Sequence, residues 1–201
     1  MNRMIDLADY AFSVGVKYLT VYALSTENLS RPQEELDGLF SLFRKYFTKN
    51  VKRLLDKDIR IRIIGDISAL PSDIQKLIED SEEESRNNGA GCINIALNYG
   101  ARQEIVRACN RAIERGQSVT EEDFASLLYT EDQPDPDLII RTGKEKRISN
   151  FLLYQAAYSE LYFTDVMFPD FSNAEFDKAI ADFSTRKRRF GKTDEQIDAG
   201  K

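Results

Sequence analysis

The stretch "CINIALN", Cys92 to Asn98, is an apolar, β-rich run that favours a strand, and it decides the fold class because it is one of a series. Similar runs occur at Tyr18 to Leu24, Ile59 to Ile64 and Leu138 to Ile140, and a helical pattern separates each run from the next. Strands that alternate with helices are typical of a parallel sheet. The sequence therefore predicts an α/β fold with a central, mostly parallel sheet flanked by helices.

The length and composition of the chain predict a single domain that covers residues 1–201. Of the 201 residues, 42% are hydrophobic, which is enough to fill the core of one globular domain. The sequence shows no internal repeat. Its two loop-like stretches, Asn87 to Gly91 and Glu131 to Asp137, are too short to separate domains.

The charge of the chain limits the kinds of partner that it can have. The formal net charge is -6, whereas a protein that binds nucleic acid needs a broad basic face. We therefore expect no nucleic-acid partner, and any anion site must be local. The chain also has no histidine, which excludes serine-histidine hydrolases and most zinc sites.

The cysteines and the amino terminus indicate a cytoplasmic protein. Cys92 and Cys109 do not form a metal-ligand pair, which favours reduced thiols. The opening "MNRMIDLADYAFSVGV" has helical spacing and lacks the continuous apolar core of a secretory signal. The longest uncharged runs, Asn87 to Ala101 and Ile148 to Ser159, are too short to cross a bilayer, so a peripheral membrane contact is the membrane association left open.

The longest predicted helix carries an unusually aromatic apolar stripe. It begins near "SRPQEE", where Ser30 can cap the helix, Pro32 suits its first turn and Gln33 completes a capping box. The stripe follows at helical spacing and consists of Leu36, Leu39, Phe40, Phe43, Phe47, Val51 and Leu54. Such a stripe is typical of a helix packed on the sheet, and the alternative is a wall that lines a lipid site.

Three predicted strands lead into residues suited to binding. "STENLSRP", Ser25 to Pro32, follows the first strand, and "NYGARQE", Asn98 to Glu104, follows the third. "DLIIRTGKEKRISNF", Asp137 to Phe151, contains the fourth strand and continues beyond it. In an open parallel sheet, ligands bind beyond the carboxyl ends of the strands. We therefore expect the three segments to converge on one rim.

The segment after the fourth strand has the composition of a diphosphate site. Arg141 and Arg147 can each fork onto two phosphate oxygens. The hydroxyl of Ser149 and the amides of a helix beginning near Asn150 can complete the cradle. The alternative from composition alone is a solvated basic loop. The sequence contains neither the P-loop motif nor the dinucleotide-binding glycine motif, so nucleotide-binding variants of this architecture have no support.

Several of these segments together closely resemble one family in order and spacing. They are "YALSTENLSRP", "IRIRIIGD", "NIALNYGARQEIV", "DLIIRTGKEKRISNFLLYQAAYSELYFTD" and "FPDF" followed by "RKRRFG". The family is that of the cis-prenyltransferases, or isoprenyl transferases, and the chain most closely resembles its bacterial undecaprenyl diphosphate synthase members. The resemblance covers nearly the whole chain, and several matching blocks are far more specific than one short motif.

The resemblance implies an enzyme that adds isopentenyl diphosphate repeatedly to an allylic diphosphate such as farnesyl diphosphate. The product would be a cis-polyprenyl diphosphate, namely undecaprenyl diphosphate, made with Mg²⁺ by a cytoplasmic homodimer and released at a peripheral membrane contact. The growing product would lie in an apolar tunnel. The helix with the aromatic stripe matches one that helps to wall this tunnel in the family, which favours the lining role for the stripe.

The resemblance also implies which residues form the site. Those expected to bind substrate are Ser25, Thr26, Glu27, Arg31, Arg141, Arg147, Ile148 and Ser149. Asn28 matches an asparagine that is assigned a catalytic, proton-accepting role. Because a neutral amide is a very weak base, we expect Asn28 to orient the substrate while the leaving diphosphate takes the proton. Glu160 matches a carboxylate ligand of Mg²⁺, and its structural alternative is a paired charge near a dimer interface.

Two departures of the sequence from the family pattern bear most directly on the site. The family opens with a strand and an "MDGNGRWA" segment, which carry a magnesium-binding aspartate and the loop for the allylic diphosphate. This sequence begins inside the helix that follows, so we expect the first central strand and the allylic half of the site to be missing from residues 1–201. Lys144 replaces a second glycine, and would either strain its turn or add charge to the cradle.

Two functions of different classes therefore stay open. The chain is either a catalytic cis-prenyltransferase or a noncatalytic subunit that binds isopentenyl diphosphate and completes its site with a partner chain, a truncated inactive homologue being the limiting case. A third interpretation, an unrelated hydrolase of phosphorylated ligands, would require a nucleophile and a base that the sequence does not offer.

Overall fold

The computed structural model describes residues 2–116, 118–189, 191 and 193 of the chain. These residues form five strands and six α-helices. The strands are β1 (Tyr18–Ser25), β2 (Ile59–Ile64), β3 (Gly91–Tyr99), β4 (Leu138–Arg141) and β5 (Glu160–Phe163). The helices are α1 (Asn2–Ser13), α2 (Gln33–Leu55), α3 (Ser72–Glu84), α4 (Ala101–Glu114), α5 (Glu121–Ala125) and α6 (Asn173–Ser184).

The strands form two parallel sheets, one of three strands and one of two. In the larger sheet, β3 lies between β1 and β2, with Thr20 opposite Asn94 and Ile61 opposite Ile93. In the smaller sheet, β4 pairs with β5. The predicted α/β fold with parallel strands and helices is confirmed. The strand β5 is not among the predicted strands, and it begins with a charged residue.

The chain divides into two compact units. The first contains the described residues up to Pro134 together with Ser149–Tyr154, and therefore β1 to β3 and α1 to α5. The second contains Asp135–Ile148 and the described residues from Gln155 onward, and therefore β4, β5 and α6. The interpretation of residues 1–201 as a single domain stays a prediction.

An apolar core covers one face of the larger sheet. Ile93 and Ile95 of β3 are buried there beside Phe40, Phe43 and Phe47 of α2. The rings of Phe43 and Phe47 stack with their centroids 4.8 Å apart. Burying a side chain of this size stabilises a fold by about 1.5–3 kcal/mol. The aromatic stripe of α2 is therefore part of the core, as expected for a helix packed on a sheet.

The helix α2 begins later than the sequence predicts. Its first residue is Gln33, and Pro32 occupies the N-cap position. Ser30 instead ends the preceding 3₁₀ turn, in which its hydroxyl donates to the carbonyl oxygen of Glu27 at 2.7 Å. The predicted cap at Ser30 is wrong, because the hydroxyl that would cap α2 is used inside this turn.

A small apolar cavity lies between α1, α2 and the larger sheet. Its volume is about 40 Å³, and its lining includes Phe43, Phe47 and Leu54 of α2, Ile5 of α1 and Ile95 of β3. A cavity of this volume has room for only a few molecules of the size of water. The aromatic stripe thus contributes both to the core and to the wall of a cavity.

Side chains that follow β2 in the sequence cover its outer edge. Ile61 N donates to Ser85 Oγ at 2.9 Å, and Ile63 N donates to Glu82 Oε1 at 2.7 Å. The amide of Asn88 donates to the carbonyl oxygen of Ile59 at 3.0 Å. An uncovered edge strand presents unpaired backbone groups to other chains. In this fold α3 and the turn after it satisfy those groups.

Glu82 should make the stability of the protein depend on pH. Burial raises the pKa of this carboxyl above 4.5, against the opposing effect of its bond from Ile63 N. The protonated form of Glu82 is favoured in the folded protein. Its contribution to the unfolding free energy is therefore fully present below pH 4.5 and is lost as the pH rises through the raised pKa. We expect Glu82→Gln, which keeps the acceptor for Ile63, to be more stable than the wild type at pH 8.

Urea unfolding of the wild type and Glu82→Gln across this pH range checks the prediction. The difference in unfolding free energy should shrink as the pH falls toward 4.5. Glu84→Gln is the matched control, because Glu84 is an exposed carboxyl on the same helix. An exposed substitution of this kind usually changes stability by less than about 0.5 kcal/mol. A constant difference between the wild type and Glu82→Gln at all pH values would contradict the prediction.

The described helices also bear on membrane insertion. Within residues 2–116 and 118–189, no helix is both long enough and apolar enough to cross a bilayer.

Candidate active site

The 3₁₀ turn Thr26–Ser30 follows β1 directly and contains several of the predicted substrate residues. Asn28 holds this turn together, because its Oδ1 accepts a hydrogen bond from Ser25 N at 3.1 Å and its carbonyl oxygen accepts one from Arg31 N at 3.1 Å. The guanidinium of Arg31 lies 2.8 Å from Glu35 Oε1, an exposed pair one helical turn apart. The turn therefore brings Ser25, Asn28 and Arg31 together in one short segment.

The end of β3 meets this turn at Gly100. A Cβ atom on Gly100 would lie 2.7 Å from Thr26 Oγ1, 2.7 Å from Asn150 Nδ2 and closer still to Gln103 Oε1. A side chain at this position would displace all three polar groups, so glycine is what lets them lie this close together. The predicted convergence of strand ends therefore holds for the segments after β1 and β3, and the turn that contains Asn150 joins them.

The turn at Ser149 and Asn150 differs from the predicted helix. Ser149 and Asn150 have φ values of 48° and 61°, and Leu152 has 45°, so the backbone is left-handed where a helix was expected. Leu152 is buried, and the ring of Phe151 stacks on Tyr22 with a centroid distance of 4.8 Å. These apolar contacts fix the turn. The prediction that helix amides beginning near Asn150 complete the cradle is therefore wrong.

Glu27 carries a negative charge within this cluster. Its pKa lies below 4.5, chiefly because its own backbone N–H bonds to the carboxylate, and side-chain bonds from Asn150 and Ser25 lower it further against the opposing effect of burial. Asn150 Nδ2 lies 3.0 Å from Glu27 Oε1. The sequence predicts a helix that begins near Asn150 and predicts no role for the Asn150 side chain. The signal in the sequence is that asparagine tolerates positive φ better than most residues.

A buried carboxyl, that of Glu104, joins the end of β3 to the residue Tyr129 by hydrogen bonds. Glu104 of α4 is 1% exposed; its Oε2 accepts from Tyr99 Oη at 2.6 Å, and its Oε1 accepts from Tyr129 N at 2.7 Å. Burial is the main cause that raises the pKa of Tyr99, and the Glu104 charge adds to it. The sequence offers no local sign of this arrangement, because Tyr129 lies far from Glu104 in the chain.

The second unit contains Arg141, Arg147, Ile148 and Glu160. Arg141 ends β4 and is half-buried. Its Nε atom is buried and has no hydrogen-bond partner among the residues that the structure describes. Buried donors are almost always bonded to protein, water or a ligand. Arg141 is therefore chemically suited to receive an anionic oxygen. Ile148 is half-buried in the loop that follows.

The turn after β4 answers one question about Lys144. Left-handed backbone occurs at Gly143, with φ of 86°, and Gly143 N donates to Val166 O at 2.8 Å. Lys144 is exposed, and it is not among the described residues with positive φ. The position in this turn that requires positive φ is thus Gly143, and Lys144 does not have to adopt that conformation. Added charge next to the predicted cradle stays the expected effect of Lys144.

Arg147 and Glu160 each have an ionic partner. The guanidinium of Arg147 pairs with Glu145, and 65% of the Arg147 side chain is exposed. Glu160 Oε2 lies 2.7 Å from Arg186, whose pKa is raised chiefly by this bond. The pair agrees with the structural alternative of Glu160 as a paired charge. Its role as a metal ligand stays a prediction, and the described residues contain no group of three or more acidic, cysteine or histidine side chains suited to a metal.

Comparison with known sequences assigns the chain to a family. Residues 1–191 match the family model described as "Putative undecaprenyl diphosphate synthase". An isoprenyl transferase of Fusobacterium nucleatum subsp. nucleatum is 54% identical over 184 residues, which are 91% of this chain and 80% of that protein. The chain belongs to the cis-prenyltransferase family. Its membership confirms the predicted enzyme class, a transferase of prenyl groups.

Other members of the cis-prenyltransferase family have similar sequences and structures. An isoprenyl transferase of Neisseria gonorrhoeae is 43% identical over 201 residues, which are 100% of this chain and 81% of that protein. The crystal structure of a probable undecaprenyl diphosphate synthase from Campylobacter jejuni has a TM-score of 0.87 and 37% identity, covering 95% of this chain and 91% of that one. The crystal structure of lavandulyl diphosphate synthase from Lavandula x intermedia, in complex with dimethylallyl diphosphate, has a TM-score of 0.90 and 35% identity, covering 95% of this chain and 86% of that one.

Proposed function

We propose that this cis-prenyltransferase condenses isopentenyl diphosphate with an allylic diphosphate such as farnesyl diphosphate, and that repeated condensation yields undecaprenyl diphosphate. The observation that carries the proposal is the buried Nε of Arg141, which has no hydrogen-bond partner in the described part of the chain and lies at the start of a basic loop. A guanidinium forks onto phosphate oxygens and keeps its charge at any working pH. Arg141, Arg147 and Ser149 would hold the diphosphate of isopentenyl diphosphate, and Ile148 would contact it.

The residues after β1 would orient the reacting groups. Asn28 Oδ1 already accepts from Ser25 N, so the Nδ2 group is the part of this amide suited to a substrate oxygen. The NH2 group of an amide donates hydrogen bonds but has no lone pair basic enough to take a proton, which favours an orienting role for Asn28. The new carbon–carbon bond would form as the allylic diphosphate departs, and the departing diphosphate would take the proton that isopentenyl diphosphate loses.

Mg²⁺ is the metal that we propose for the reaction, with Glu160 as its ligand from the described residues. Hard cations of this kind are held by one or two carboxylates together with phosphate oxygens and water, so a single carboxylate beside a diphosphate fits the metal. Arg186 would have to release Glu160, since the two are paired at 2.7 Å. When bound, Mg²⁺ would offset the charge of the diphosphate.

The apolar part of the product would extend along the aromatic stripe of α2. Phe43 and Phe47 line an apolar cavity, and a polyprenyl tail gains from leaving water. At about 40 Å³ the cavity is far smaller than such a tail, so α1 and α2 would have to move apart as the product grows. We further propose that the protein is cytoplasmic and releases its product at a peripheral membrane contact.

The second unit offers support for a homodimer. Tyr158, Leu161 and Met167 are 64%, 38% and 57% exposed, and Phe168 is 36% exposed. Large apolar side chains grouped in a short segment favour a protein interface over a solvated surface. We therefore propose that the enzyme works as a homodimer through the segment from Tyr158 to Phe168.

An assay of the purified chain tests the proposed function. The chain is incubated with radiolabelled isopentenyl diphosphate, farnesyl diphosphate and Mg²⁺, and the extracted product is sized by chromatography. Labelled polyprenyl diphosphate of undecaprenyl length would support the proposed function, and it would contradict the expectation that the allylic half of the site is missing from residues 1–201. A folded chain that binds isopentenyl diphosphate without making product would favour the noncatalytic subunit. A folded chain that neither binds it nor makes product would refute the diphosphate cradle.

A further inference from the structure

We propose that Asn150 is a positioning residue that fixes the Glu27 carboxylate, and with it the 3₁₀ turn Thr26–Ser30, in the geometry that binds substrate. The inference rests on the proposed function, because the turn contains predicted substrate contacts. It assigns to Asn150 a role that differs from those of its neighbours: Ser149 is expected to touch the diphosphate, whereas Asn150 acts through Glu27.

Four hydrogen bonds tie Asn150 to two other segments. Its Nδ2 group donates to Glu27 Oε1 at 3.0 Å and to Gln103 Oε1 at 3.1 Å. Its Oδ1 accepts from Arg102 N at 2.9 Å, and its carbonyl oxygen accepts from Ala101 N at 2.9 Å. The side chain of Asn150 therefore caps the start of α4 with its oxygen while it bonds the turn after β1 with its nitrogen.

Asparagine meets requirements at this position that few residues meet together. The φ of Asn150 is 61°, which asparagine and glycine adopt most readily. The bond from Arg102 N requires an acceptor, and the bonds to Glu27 and Gln103 require two donor hydrogens, which one primary amide supplies. The Asn150 amide also occupies space that is free only because residue 100 is glycine, since it lies 2.7 Å from where a Cβ atom at that position would be.

The substitution Asn150→Asp would replace the donating Nδ2 group by a second acceptor oxygen. It would keep the acceptor for Arg102 N, but it would set a second carboxylate at about the 3.0 Å distance that now separates Asn150 Nδ2 from Glu27 Oε1. Like charges this close repel strongly. With Glu27→Gln added, the new amide at position 27 could donate to the new carboxylate, and Gln103 could turn its own amide to do the same. The two substitutions should therefore compensate each other.

A double-mutant cycle with isopentenyl diphosphate as the probe tests the proposal. Calorimetric titration in the presence of Mg²⁺ gives the Kd for the wild type, Asn150→Asp, Glu27→Gln and the double variant, and thermal unfolding gives their stabilities. We expect Asn150→Asp to raise the Kd about 10- to 100-fold in the wild-type background and less than about 3-fold in the Glu27→Gln background. Asn110→Asp, an exposed residue of α4, controls for the added negative charge.

Each outcome separates the inference from the proposed function. If Asn150→Asp changes the Kd equally in both backgrounds, or lowers the unfolding temperature without changing the Kd, the positioning role is overturned while the proposed function stands. An effect of Asn110→Asp as large as that of Asn150→Asp would also overturn the positioning role, because charge alone would explain it. If the folded wild type does not bind isopentenyl diphosphate, the proposed function fails, and the inference fails with it.

Discussion

Replacing Arg147 by alanine should raise the Kd for isopentenyl diphosphate about 30- to 100-fold, because a charge-assisted, forked hydrogen bond to the diphosphate is lost. In the structure this guanidinium pairs with Glu145 and is 65% exposed. Exposed ion pairs contribute about 0–1 kcal/mol, so a diphosphate can displace Glu145 at small cost. Calorimetric titration of the variant measures the effect.

Lys146→Ala is the matched control for Arg147→Ala. Lys146 is exposed, lies one residue earlier and carries the same charge, but it is not among the predicted diphosphate ligands. We expect the Kd of Lys146→Ala for isopentenyl diphosphate to differ from the wild-type Kd by less than about 3-fold, since an exposed charge acts only through the screened field around the site. Equal effects of the two variants would mean that the basic loop attracts anions in general, and an unchanged Kd for Arg147→Ala would remove Arg147 from the cradle.

Replacing Gly65 by alanine should leave little folded protein. Gly65 follows β2 with φ of 134°, a conformation that residues with side chains rarely adopt. A Cβ atom here would lie 2.9 Å from Asn98 O and closer still to Leu97 O, and both atoms belong to the backbone of β3. A clash with backbone in a sheet cannot be relieved by a side-chain rotation. We expect a loss of about 4 kcal/mol or more, against a typical domain stability of about 5–15 kcal/mol.

Gly38→Ala is the control for the chemical change itself. Gly38 lies inside α2, and nothing lies within 4 Å of the place where its Cβ atom would be. Alanine in a helix interior is about 0.5–1 kcal/mol more favourable than glycine. Urea unfolding should therefore show a higher midpoint for Gly38→Ala than for the wild type. A wild-type midpoint for Gly65→Ala would contradict the close approach of β2 and β3.

Sequence patterns located the strands well where apolar runs are long. The prediction for β2 has the observed bounds, Ile59–Ile64, and the predicted Cys92 to Asn98 is one residue short of β3 at each end. In β3 the run is uncharged throughout, as in a strand buried on both faces, whereas in β2 isoleucine alternates with Arg60 and Arg62, as in a strand with one buried face. The short strand β5 shows no such pattern. β5 lies in "ELYF", where pairing with β4 is a property of the folded chain and leaves no local pattern.

The candidate site shows the same division between composition and geometry. The residue types of Arg141, Arg147 and Ser149 predict an anion site, and the position of the turn after β1 at the end of a strand predicts a binding role for that turn. No such pattern predicts a role for Asn150, because its importance depends on Glu27 and Arg102, which are 123 and 48 residues away in the chain. Hydrogen-bond partners at such separations are set by tertiary structure, and a single sequence does not record them.

The covered edge of β2 has a consequence for the order in which the sheet is built. The bonds from α3 and the turn after it link residues at most 29 positions apart, and all of these residues precede β3 in the chain. A growing polypeptide can therefore close one side of β2 before β3 has been synthesised, and local contacts form fast. Only the opposite side is then left for pairing. This early choice of side restricts where β3 can add, and so favours the observed order β1-β3-β2 over a sheet that grows in the other direction.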